Sequence, residues 1–206
     1  LTLDLSTWTG NTTINNIKVW VRGTTNNDWS GTYDIGAGYF SSNEPTTMLW
    51  DFEDGTTGGW IPESNVESVE AVTTFANRPR APEEGDYALE ASSATVPADT
   101  PRVISVTPDN PLDLTDAEHL VMSVNSYGAA GLGISDYEAI VRVWSGDQMI
   151  EGQASDYQPN RWNLLSADVS DWEHRSSITK IEVSFRGLGS SDDWGGRFQI
   201  DKIGWL

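Results

Sequence analysis

Three carboxylates surround one phenylalanine in Met48-Leu49-Trp50-Asp51-Phe52-Glu53-Asp54-Gly55. Alternation sets Trp50 and Phe52 on one face of a strand and Asp51 and Glu53 on the other. Asp54-Gly55 closes that strand with a turn signal. The chain ends on a comparable piece, residues 197–205, in which Phe198, Ile200 and Lys202 alternate against Gln199, Asp201 and Ile203. A sheet that joins its first and last strands brings Glu53 and Asp201 together. Such a pair is either a site for chemistry or two solvated edge residues. Two carboxylates are what glycosidic-bond hydrolysis needs, but pairs argue little in a chain with 31 acidic residues.

Aromatic side chains are the second feature that could bind or react. Ten tryptophans are more than a core of this size needs, and flat aromatics left on a surface mark a binding face. Trp144 shares a strand face with Arg142, and Arg186 shares one with Ser184, opposite Phe185 and Val183. Trp194 and Tyr127 sit in loops. Each of these is either a contact for a ligand or a packing residue, and the arginines can equally pair with carboxylates. Trp50, Trp60, Trp162 and Trp205 are expected in the core.

Other chemistries lack their residues. There is no cysteine, so disulfides, thiolate catalysis and cysteine zinc sites are excluded. His119 and His174 lie far apart with no metal-ligand spacing. The glycine-rich stretch 126–136 lacks the lysine and the strand–loop–helix setting of a phosphate loop. No serine elbow or base–nucleophile arrangement is visible. A formal charge of -19 disfavours nucleic acid and anionic membranes. No apolar run reaches membrane-spanning length. The sequence begins at Leu1, so it is expected to be a mature or cut fragment, and the lack of a signal peptide says nothing about secretion.

The elements that must position these residues are short strands. Segments 66–72, 87–91, 102–107, 119–124, 137–144, 161–165, 178–186 and 198–205 are apolar or alternating, and Gly, Pro, Asn and Asp separate them. Ser145-Gly146-Asp147-Gln148 reads as a hairpin turn. No long stretch has helical apolar spacing. The pattern predicts an all-β sandwich of two antiparallel sheets.

The chain also echoes itself. Ile14 to Gly23, INNIKVWVRG, resembles Ile178 to Gly187, ITKIEVSFRG, and Trp29-Ser30-Gly31 resembles Trp194-Gly195-Gly196. We expect residues 1–44 to be the C-terminal remnant of a preceding homologous β-module, with Gly36 where the second copy has Asp201. Residues 45–206 then form the complete module.

In order, MLWDFEDGTTGGW, EEGDYALEA, DLTDAEHLVMSV, RWNLLSADVSDW, ITKIEVSFRG and RFQIDKIGW resemble the β-jelly-roll carbohydrate-binding modules of secreted, multimodular bacterial polysaccharide-degrading enzymes. The resemblance covers about residues 47–206. It implies a jelly roll and a structural calcium ion, with Glu53 and Asp201 on its carboxylate positions and Asp51 as a weaker ligand. Calcium takes six to eight oxygens and accepts backbone carbonyls readily, so two carboxylates with loop carbonyls suit it. The resemblance further implies a non-catalytic, extracellular module that targets an attached glycoside hydrolase or polysaccharide lyase to a polysaccharide. The charge leans toward a neutral one. Trp144, Arg142, Arg186, Trp194 and Tyr127 are the expected sugar contacts, with rings stacking on pyranose faces. The alternatives are a spacer domain of a large extracellular protein and a jelly-roll lyase or hydrolase. Residues 1–44 are expected to pack on a module or partner fragment.

Overall fold

Period-two alternation decides most of this structure. In the computed structural model, residues 45–73, 85–126, 134, 136–154 and 157–206 are described. The chain partitions into two units, Leu1–Gly38 and Tyr39–Leu206, and everything below belongs to the second. The expectations for residues 1–44 and for Tyr127 lie outside the described residues.

The strands are β1 (Thr47–Trp50), β2 (Ile61–Ser64), β3 (Val66–Val72), β4 (Ala88–Ser93), β5 (Val96–Pro97), β6 (Arg102–Val106) and β7 (His119–Ser126), followed by β8 (Asp136–Ser145), β9 (Gln148–Gln153), β10 (Asn163–Asp168), β11 (Lys180–Leu188), β12 (Asp193–Trp194) and β13 (Arg197–Trp205). Among the described residues there is no helix. One sheet, here sheet A, has the order β10-β7-β13-β4-β3, with β1 also paired to β13. Sheet B has the order β2-β6-β11-β8-β9, and β5 and β12 form a small ribbon. All pairings are antiparallel, and the two large sheets form a β-sandwich of jelly-roll type.

Sheet A contributes Leu89, Ala91, Leu120, Met122, Val124, Leu165, Phe198 and Ile200 to the core, and sheet B contributes Ile104, Val141, Val143, Ile181, Val183 and Phe185. Phe185 and Phe198 join the two layers, their ring centroids 4.4 Å apart. Burial of each large side chain is worth about 1.5–3 kcal/mol, which is what holds the sheets face to face. Trp60 is fully buried, and Trp50 and Trp205 pack against the same core, as expected. Trp162 does not. It clusters instead with Ala88 and Val72, apart from that core.

First and last strands do pair, Thr47 opposite Trp205 and Trp50 opposite Ile203. Two local departures break the expected alternation. β1 stops at Trp50, and Phe52 takes a positive φ of 61°, which folds its ring into the core instead of carrying the strand on. On β13, Lys202 has φ 50° and the register slips between Asp201 and Gly204. That bulge turns Ile203 into the core, where unbroken alternation would have placed it outside.

Candidate functional site

The outward face of sheet A is polar where a solvated sheet face would be open. Alternation against Leu89, Ala91, Met122, Val124, Phe198 and Ile200 puts Glu90, Asn125, Arg197, Gln199 and Asp201 on the side away from the core. Strand register then lines three of them up with Glu70 of β3. Glu70 lies opposite Glu90, Glu90 opposite Gln199, and Gln199 opposite Asn125, one row across β3, β4, β13 and β7. Asn163 pairs with Val124, so Trp162 stands level with Asn125 at the far edge.

This row is buried. Asn125 and Gln199 are 0% exposed and Glu90 is 4% exposed. The Gln199 Nε2 donates to Glu90 Oε2 at 3.0 Å. Arg197, from the neighbouring row, donates from Nη1 to the other oxygen of Glu90. The Glu90 carboxylate therefore has both oxygens bonded. Asn125 has neither, since Nδ2 and Oδ1 are both buried without a partner, and Gln199 Oε1 is likewise unpaired. A buried amide group left unbonded costs about 1–3 kcal/mol, so native structures rarely keep one without a reason. Sequence reasoning placed Gln199 on the outward face but did not single out Asn125, Glu90 or Arg197, and it expected Trp162 in the core. The signal available was a large polar residue alternating with core residues on each of three strands, β4, β7 and β13.

The expected contacts on sheet B are each bonded to a carboxylate. Arg142 Nε donates to Glu151 at 2.9 Å, and Arg186 Nε donates to Glu138 at 2.5 Å. The bond to Glu138 holds the Arg186 guanidinium above its ordinary range. The indole N–H of Trp144 donates to Glu182 at 2.6 Å. Lys180 bridges Glu63 at 3.0 Å and Glu182 at 3.4 Å, and Ser105 donates to Glu63 at 2.6 Å. The face is a lattice of alternating charge across β2, β6, β11, β8 and β9, with Trp144 pinned at one corner.

Trp194 is buried. Arg102 lies over its ring, 4.6 Å from guanidinium carbon to centroid, and Tyr137 meets it edge-on. A Cβ on Gly196 would fall 2.1 Å from the indole, so the Trp194-Gly195-Gly196 run lets the backbone pass against the ring. Its surroundings are those of a plug over the end of the core. Arg102 itself is wholly buried and donates to the carbonyls of Val96, Ala98, Thr100 and Trp194.

At the expected cation site, the Glu53 carboxylate accepts from the backbone N–H of Asp86 and of Tyr87. A Cβ on Gly85 would strike that carboxylate at 2.3 Å, so only glycine fits there, and its φ of 65° is one that glycine tolerates. Tyr87 leads into β4, and Leu89 pairs with Ile200. Topology thus sets Glu53 and Asp201 at one junction, where β13 exchanges β4 for β1 as its neighbour. Asp201 is 1% exposed, and its Oδ1 accepts from Lys202 N–H at 2.9 Å. Asp51 is exposed and caps Glu53 N–H at 3.2 Å. Among the described residues no three acidic or histidine side chains converge on one point. An ion here would draw on the buried Asp201, the backbone-anchored Glu53 and main-chain carbonyls, a hard-oxygen set that suits calcium.

The chain matches no family model and no curated protein at a significant level. Its fold is similar to that of solved carbohydrate-binding modules. One structure, of carbohydrate-binding modules from the β-sandwich super family, aligns with a TM-score of 0.52 at 14% identity, over 81% of this chain and 64% of that one. An exo-β-agarase aligns at 0.53 and 16% identity, over 76% of this chain but 24% of the enzyme. A family 28 carbohydrate-binding module specific for non-crystalline cellulose aligns at 0.50 and 15% identity, over 79% of this chain and 96% of the module. The chain spans less than two thirds of the length of the first two. At such identities the likeness is one of fold.

Proposed function

We propose that residues 45–206 are a non-catalytic carbohydrate-binding module that holds a polysaccharide against the outward face of sheet A. The observation that carries this reading is the row Glu90–Gln199–Asn125, buried on a face that the sandwich does not use for its core, with amide groups left unbonded. Sugar hydroxyls are ligands that satisfy such groups, and Trp162 beside the row supplies an aromatic surface for a pyranose ring. The fold likeness to carbohydrate-binding modules agrees with it.

The wider setting belongs to the same proposal. The module is extracellular and attached to a glycoside hydrolase or polysaccharide lyase that it brings to substrate, and a calcium ion on Glu53 and Asp201 clips β1 and β4 to β13. The ion supplies cohesion at the sheet junction and takes no part in sugar recognition. Affinity electrophoresis against soluble polysaccharides, with calcium and with chelator, tests the reading. Retardation by at least one polysaccharide is expected. Free migration of the folded protein in every gel would leave a spacer domain as the better account.

A further inference from the structure

Asn125 and Gln199 face each other in register on β7 and β13. Resting on the reading that this face receives polysaccharide, we infer that the two side chains select an uncharged sugar by its adjacent hydroxyls and turn anionic sugars away.

The argument is one of donors and acceptors. The Asn125 carboxamide offers a donor and an acceptor side by side, both unpaired. Two oxygens of a gauche vicinal diol are spaced to meet both, one accepting from Nδ2–H while the other donates to Oδ1. A trans-diaxial diol points its oxygens apart and cannot. Gln199 has committed Nε2 to Glu90, so only its Oε1 remains, and it takes a further hydroxyl proton. The pair together requires two protons from the ligand. A carboxylate or sulfate group has none to give, so an anionic sugar can seat only its hydroxyls here and brings its charge up against the face.

Charge works in the same direction. Glu70 and Glu90 lie in this row, and the Arg197 guanidinium is already bonded to Glu90. An anionic sugar therefore meets carboxylates with no free cation among the described residues of the row, a repulsive element that serves selectivity. Both amides are shut off from water in this structure, so sugar entry requires what covers the row to part. Uncharged hydroxyls repay that opening by pairing groups that have no partner in the free protein.

The test uses the whole 206-residue chain. Soluble β-glucan, arabinoxylan and galactomannan serve as uncharged probes in affinity gels, and polygalacturonate and alginate as anionic ones. Retardation by an uncharged probe and not by the anionic ones is expected, and titration calorimetry should show Asn125→Leu weakening the retained probe roughly tenfold or more. Asn125→Asp, which replaces the amide donor by charge, should weaken it as well. O-methylation of the retained polysaccharide removes proton donors without adding charge, so it should abolish binding by the wild-type chain whether or not the variants fold. Equal retardation by polygalacturonate overturns the inference while leaving polysaccharide binding intact. So does unchanged affinity in the Asn125 variants, which would make the unpaired amide the seat of a buried structural water. Absence of binding to any probe instead removes the underlying reading, and this inference with it.

Discussion

Gln199 on β13 stands between Glu90 on β4, to which it donates a 3.0 Å hydrogen bond, and Asn125 on β7, to which it donates none. The row is therefore satisfied at one end and open at the other. That asymmetry separates a bonded structural half from a half available to a ligand.

Stability should reveal the difference. Asn125→Leu removes two unpaired buried polar groups and adds apolar volume of similar size. It should raise folding stability by about 1 kcal/mol, or about 2–4 °C in Tm. Glu90→Leu leaves the buried Gln199 Nε2 without its acceptor and should lower it by about 1–3 kcal/mol. Thermal denaturation of the two variants checks the contrast, and a drop of equal size in both would contradict it.

The two candidate faces predict opposite mutational outcomes. Trp162→Ala should weaken polysaccharide binding about tenfold or more. Trp144→Ala should leave affinity within about twofold, because that indole is held by Glu182 in an ion-pair lattice. Calorimetric titration of both variants decides between sheet A and sheet B.

Chelation should act on stability and not on affinity. If calcium is held by Asp201 and Glu53, chelator should lower Tm by roughly 5–10 °C at metal concentrations near a hundred times Kd, since a ligand bound only to the folded state stabilises it by mass action. Asp201→Asn should erase the difference between calcium and chelator. A Tm that ignores chelator in the wild-type chain would dismiss the ion.

Arg102 is the linchpin of the loops at one end of the sandwich. Its guanidinium bonds four backbone carbonyls and stacks on Trp194. Arg102→Met should cost about 3 kcal/mol or more, because those carbonyls lose their donor inside the protein. Arg102→Lys should recover only part of that, lacking the planar fork. Urea unfolding midpoints at constant slope measure both.

Acid should weaken the fold below about pH 4. Hydrogen bonds from Thr56, Thr115 and Ser170 hold Asp54, Asp113 and Asp168 below the usual carboxylate range, and bonds from Ser105 and Lys180 do the same for Glu63. Each of these carboxyls is depressed in the folded state. Its contribution is complete above its unfolded value and is lost as pH falls through the folded one. Burial alone would lower Lys180, but Glu63 and Glu182 outweigh it and raise it, so that pair persists to high pH. Melting curves between pH 3 and about pH 6 should show a falling acid limb, and Thr115→Val should flatten it.

The amino-acid sequence by itself determined the class of fold and the pairing of its ends. Alternation in residues 66–72, 102–106, 119–126 and 137–144 made strands, and the apolar starts of segments 48–52 and 198–205 made them neighbours. A period of two states which face a side chain takes, because each peptide unit turns the next residue over. It does not state which residues of distant strands share a row, since that depends on register. Glu90, Asn125 and Gln199 meet only through the β4–β13 and β13–β7 pairings. Nor does it announce where alternation fails. The positive φ values of Phe52 and Lys202 are backbone choices stabilised by the closed sandwich; the first ends β1 and the second, with the register slip beside it, puts Ile203 inside. Trp162 has sequence neighbours that read as core. Its strand's alternation with the buried Leu165 and Ala167 sets it on the outward side, and register places it level with Asn125.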